Sequence, residues 1–226
     1  MKTRLGTTLL ALWLMLPVTF AGAAIFDAEN KVGADSMPEA MLAIREQILT
    51  QGPQKAHFVE ERKFPFRKEP ICLEGESSFI PSLALILKYT APQENTVLLY
   101  QDGLAEVAAN GTLLDRPMPA QYENLFSLYN LNFKELGDGF TLYFEGDNTH
   151  WSIGLEKIET VTRAGKSVSV QTRALSIVMQ GREGRLESMQ ISKGASIHIS
   201  ISMSDPTALG TDELERIKAQ LSGRSE

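Results

Sequence analysis

Six runs crowd the second half of the chain: "GFTLYFEG", "THWSIGLEK", "SVSVQT", "ALSIVMQ", "RLESMQISK" and "ASIHISISM". Each largely alternates apolar and polar residues, the period of an extended strand with one wet and one dry face. Gly, Asn and Asp separate the runs at near-hairpin spacing, so neighbours in sequence should lie antiparallel. Earlier, "KAHFVEERKF", "ICLEGESSF", "SLALILKYT" and "NTVLLYQDGLAEVAANGTLLD" carry the same signal, with Asp102-Gly103 and Asn110-Gly111 as hairpin turns. Asn110-Gly111-Thr112 also matches a glycosylation sequon, and the flanking strands favour the turn. "SLALILKYT" predicts Leu83, Leu85, Leu87 and Tyr89 on one face, with Ala84, Ile86 and Lys88 on the other.

Three segments break this pattern. "SMPEAMLAIREQILTQGP" spaces Met37, Met41, Ile44 and Ile48 along one helical stripe. Ser36 and Glu39 have the spacing of a capping box, Pro38 suits a first turn, and Gly52-Pro53 stops the helix. "RPMPAQYENLFSLYN" places Tyr122, Leu125, Phe126 and Tyr129 at helical spacing, and "TDELERIKAQLSG" reads as a polar helix capped by Thr211 or Asp212. A long curved sheet with a few short helices predicts a mainly β (α+β) fold: an open, incomplete antiparallel β-barrel with helices covering its concave face. No repeat, low-complexity tract or linker divides it, so residues 24–226 are expected to form a single domain.

Residues 1–23 have the layout of a cleaved signal peptide: Lys2 and Arg4, then "LLALWLMLPVTFAG", then small residues. The apolar run is short for a bilayer span of ~20 residues. The expected compartment is the periplasm. Losing this segment removes Lys2, Arg4 and no acid, which takes the net charge from −6 to −8. An acidic chain without basic clusters is a poor nucleic-acid binder. Cys72 is the only cysteine, so no internal disulfide can form and the fold must rest on its core.

Catalytic chemistry is hard to find. His57, His150 and His198 are far apart, and none has a second ligand at metal spacing. Cys72 lies between Ile71 and Leu73 and reads as a small apolar filler. Glu60 and Glu61 point to opposite sides of a strand, while Glu74 and Glu76 flank a bulge at Gly75 without an apolar pocket. "GDGF" at residues 137–140 reads as a turn. No catalytic residue, cofactor or metal is expected.

The charged ribbon "HFVEERKFPF" fits a one-sided sheet if Phe58, with Phe64 and Phe66, faces the concave side and the charges face water. Alternation fails over residues 59–63, where a slip of one residue would reverse the faces.

The order of these pieces resembles the LolA-like outer-membrane lipoprotein carriers. The matching residues are "HFVEERK" after the first helix, "LEGESSFIPSLALILKYTAP" as a glycine-led strand, proline and return, and "TVLLYQDGL". The resemblance covers approximately residues 36–205. Ile80 stands before Pro81 where family carriers have a basic residue that helps latch the lid, and "LAEVAANG" lacks the usual aromatic. Both mark a divergent member. The family implies a cavity for lipoprotein acyl chains or related lipid cargo, passed from an inner-membrane donor to an outer-membrane acceptor. The expected cavity lining is Phe58, Phe79, Leu83, Leu85, Leu87, Leu99, Leu142, Phe144, Trp151 and Ile153. The expected lid is Met41, Ile44 and Ile48 on the first helix with Leu125, Phe126 and Tyr129 on the second. A periplasmic interaction or sensor module with a filled core is the other reading these residues allow.

Overall fold

The computed structural model describes residues 21–33, 36–101, 103–108, 110–118, 125–162, 169–194 and 196–222, with backbone alone at residues 21–23, 160–162, 169–172 and 205. Residues 1–20 of the expected signal peptide, Asp102 of the expected turn and Tyr122 of the expected helix lie outside the described residues.

Two 3-10 turns, Ala21–Phe26 and Ala28–Asn30, precede helix α1 (Glu39–Thr50). Strands β1 (Gln54–Lys63), β2 (Ile71–Ile80), β3 (Ala84–Ala91), β4 (Asn95–Tyr100), β5 (Gly103–Val107) and β6 (Leu113–Arg116) follow. Two short helices, α2 (Leu125–Tyr129) and α3 (Phe133–Gly139), separate these from β7 (Thr141–Gly146), β8 (His150–Thr162), β9 (Ser169–Arg182), β10 (Arg185–Lys193) and β11 (Ile197–Ala208). Helix α4 (Thr211–Ser222) comes last.

All strands join one 11-stranded sheet in the order β6-β5-β4-β3-β2-β1-β11-β10-β9-β8-β7. Two hairpin meanders, one from each half of the chain, meet where β1 pairs antiparallel with β11. β6 and β7 are the two edges and do not pair, so the sheet curls without closing. The register shifts put an extra residue in β3, β9, β10 and β11, where it bends the strand and increases its twist.

Alternation then sorts the side chains. The concave face carries the main core, covered by α1, α2 and α3. The convex face is mostly wet, with two apolar exceptions. Ile25 and Phe26 sit on Tyr143 and Val178, and the Phe26 ring is held edge-on to Tyr143 at 5.3 Å with the Arg173 guanidinium 4.6 Å above it. On the other half, α4 buries Ile217 against Ile80 and Leu209, a contact worth ~2 kcal/mol for a fully buried isoleucine.

Several expectations need correction. Leu83 is not in line with Leu85. It lies in the Pro81–Leu83 turn and packs beneath α4 on the outer cluster, because the strand begins only at Ala84. Cys72 is exposed rather than buried, since its register partner is Glu61 on the wet face. Glu60 and Arg62 point inward, not out, sharing the concave face with Phe58. Phe66 is 80 % exposed, stacked on the half-buried Phe64 at 5.3 Å in the loop beyond β1. The capping box does not form: Pro38 occupies the N-cap without a side-chain hydrogen bond, and Ser36 instead bridges to Gly33. "GDGF" closes a short helix rather than a free turn, and Ser169–Thr172 of "SVSVQT" runs on into "ALSIVMQ" as one continuous strand, residues 167 and 168 lying outside the described residues.

Candidate functional site

The concave face is built from glycines as much as from large side chains. Phe58 on β1 stands opposite Gly75 on β2, which in turn stands opposite Tyr89 on β3. A Cβ on Gly75 would come within 2.8 Å of the Phe58 ring and collide with the Lys88 carbonyl. Glycine there lets the ring lie across β2 and meet Tyr89 edge-on, centroids 5.2 Å apart. Gly181 serves Trp151 in the same way on the other half of the sheet.

Phe58, Leu85, Leu87, Leu99, Leu142, Trp151 and Ile153 are buried in one cluster, with Phe79 and Phe144 half-buried against it. Met41, Ile44, Leu125 and Tyr129 enter the same cluster from the helices, and Ile48 packs on its border. Phe126 does not; Leu128, two residues on, takes that inward position. Sequence reasoning missed α3, whose Phe133 and Leu136 extend the cover. Their three-residue spacing was the available signal, masked by Gly137 and Gly139.

Most of this interior is filled. Met41, Ile44, Leu85, Leu99, Ile153, Leu155 and Met189 are each 0 % exposed. Two hollows remain. One, of about 60 Å³, lies among Ile48, Phe79, Tyr129 and Met203. The other, of about 180 Å³, lies between α2 and the sheet, with Arg62, Phe64 and Lys193 among its lining.

The helices are held over the face by few polar ties. Asn130, just past α2, accepts the Ser82 backbone N–H at 2.7 Å and donates to the Phe126 carbonyl at 2.8 Å. Tyr129 leans on Phe79, centroids 5.7 Å apart, and its hydroxyl meets Met203 Sδ at 3.8 Å. Burial pushes the Tyr129 hydroxyl well above its ordinary pKa, and the charge of Glu60 adds to the rise, so it stays protonated. At the C-terminal cap of α1, Gln51 Nε2 donates to the Glu183 carbonyl at 2.7 Å. Gln47 Oε1 and Trp151 Nε1 are buried and have no hydrogen-bond partner among the described residues.

One charged group is sunk into the apolar face. Glu60, 4 % exposed, accepts Arg62 Nε at 2.5 Å and the Tyr89 hydroxyl at 3.1 Å. Both carboxylate oxygens are therefore occupied, as a buried charge requires. His57, His150 and His198 are all exposed, and no group of three or more His, Cys, Asp or Glu among the described residues could hold a metal ion.

No protein-family model and no curated protein matches the chain. Solved structures do. The chain is similar to a LolA superfamily protein from Nitrosomonas europaea at 10 % identity and TM-score 0.42, covering 76 % of this chain and 92 % of that one. It is similar to a DUF1329 family protein from Desulfovibrio piger at 8 % identity and TM-score 0.45, covering 75 % and 91 %. A domain from Vibrio parahaemolyticus described as an outer membrane lipoprotein-sorting protein matches at 8 % identity and TM-score 0.40, covering 80 % and 97 %.

Proposed function

We propose that this chain is a periplasmic carrier that shields acyl chains of lipoproteins, or related lipid cargo, on its concave face for transfer towards the outer membrane. The observation that carries this reading is the mismatch between the apolar face and its cover. An 11-stranded sheet presents one continuous apolar surface, and among the described residues it is covered by three short helical segments, α1, α2 and α3, with Val32 and Met37 at their edge. Helices that short do not hold themselves in place by their own hydrogen bonds; packing holds them, and a competing apolar group can replace that packing. Each methylene moved from water onto the face gains ~0.8 kcal/mol. The two unpartnered polar atoms, Gln47 Oε1 and Trp151 Nε1, further weaken closure, since a buried unsatisfied group costs about 1–3 kcal/mol.

Signal-peptide order at the front of the chain supports the periplasmic setting, and the LolA-like order of motifs supports the class of cargo. Displacement of a hydrophobic dye by a fatty acid on the purified protein tests the reading. Saturable binding at about one site supports it. The second reading, an interaction module, draws on the wholly buried centre of the cluster; absence of any saturable apolar binding selects that one.

A further inference from the structure

The geometry points to the hollow between α2 and the sheet as a site for the tail of a single-chain amphiphile with an anionic head. This inference rests on the carrier reading and narrows its cargo. Leu125 and Leu128 of α2 form one wall, and Leu175, Ile177, Ile191 and Ile199 form the sheet wall opposite. The lining holds two charged side chains, Arg62 and Lys193, and both are cations. Their position follows from register. Arg62 stands opposite Ile199 at one end of β1, and Lys193 stands between Leu175 and Ile197 at the end of β10. Lys193 is exposed and Arg62 is partly so, while the leucines and isoleucine behind them, Leu125, Leu128 and Ile177, are buried. Arg62 is ion-paired to Glu60, so the net charge at the mouth is that of Lys193, and the site is dry at its floor and singly positive at its mouth, the polarity of an alkyl chain ending in a carboxylate or phosphate.

Size sets the chain number. A hollow of about 180 Å³ is close to the ~150 Å³ apolar cavity that stays dry and takes up benzene. It holds the end of one alkyl chain, roughly six carbons by that comparison, and does not hold several chains side by side. Phe64 closes the mouth on the loop side, and its stacked partner Phe66 lies in solvent, where it can cover the part of a longer chain that emerges.

Binding of decanoate, decyl phosphate, decanol and decyltrimethylammonium to the full protein, measured by displacement of one fluorescent fatty-acid analogue, tests the site. The account expects the two anions to bind at least tenfold tighter than the cation, with decanol between. Lys193→Glu, an exposed change that leaves the core alone, should remove that preference, and Ile197→Trp should weaken all four ligands by filling the mouth. Decanoate over decyl phosphate, or the reverse, identifies the head group. Equal binding of all four, unchanged in Lys193→Glu, overturns the head-group assignment while leaving the carrier reading intact. No binding of any of the four overturns both.

Discussion

Asn130 Oδ1 takes the backbone N–H of Ser82 at 2.7 Å, tying the end of α2 to the turn between β2 and β3. The turn is the one that begins at Pro81, after Ile80. Ser82 holds φ 60, a left-handed conformation that presents its N–H to the helix. Asn130→Ala removes this part-buried hydrogen bond to the exposed Ser82 and should cost about 0.5–1.5 kcal/mol in urea unfolding. If the tie restrains the lid, the same variant binds a fatty-acid probe faster than the parent. An unchanged association rate would show that α2 does not gate the face.

Gly75→Ala should cost about 1–3 kcal/mol, the range for overpacking a filled core. Phe58→Leu in the same chain should not restore the loss, because the added methyl also meets the Lys88 carbonyl, which cannot rotate away. Full rescue by Phe58→Leu would mean the ring alone sets the limit.

Glu60 binds two partners at once, so single and paired changes should differ. Glu60→Ala removes the buried carboxylate that the Tyr89 hydroxyl and Arg62 both bond, and a loss of roughly 2–3 kcal/mol is expected after allowing for the partial exposure of Arg62. Glu60→Leu combined with Arg62→Leu should be less harmful than the sum of its parts, since each single change breaks the same ion pair. Strict additivity in chemical denaturation would deny the coupling.

Asp147 orders the turn between β7 and β8. The Thr149 hydroxyl, then the backbone N–H groups of His150 and Thr149, bond to its carboxylate and lower its pKa from 3.8 to about 2. A depressed acid stabilises the fold above its unfolded value and loses that contribution as pH falls through the folded one. The melting temperature of the parent should therefore exceed that of Asp147→Asn at pH 6, and the gap should narrow between pH 4 and pH 2. A gap that stays constant over that window would remove Asp147 from the account.

The meander was legible because alternation repeats in nearly every strand, and the apolar face followed from it at Phe58, Leu85, Leu99 and Ile153. What escaped depended on where each strand begins. Leu83 shares the period of Leu85 and Leu87, yet the chain turns at Pro81–Leu83, so its side chain goes to the outer cluster. Glu60 looked like surface because its buried partner, Tyr89, is 29 residues away and two strands over. Helix α3 was hidden by its own glycines, which lower helix propensity without stopping a helix that packing holds. The two hollows could not be read at all, since residues that line a hollow and residues that fill a core have the same composition.

Native mass spectrometry of the full protein, mixed with a synthetic N-acylated peptide or with the same peptide lacking its acyl chain, tests the central claim most directly. The account predicts a one-to-one complex with the acylated peptide, none with the bare one, and a weaker complex in Ile197→Trp. Equal capture of both peptides, or of neither, contradicts it.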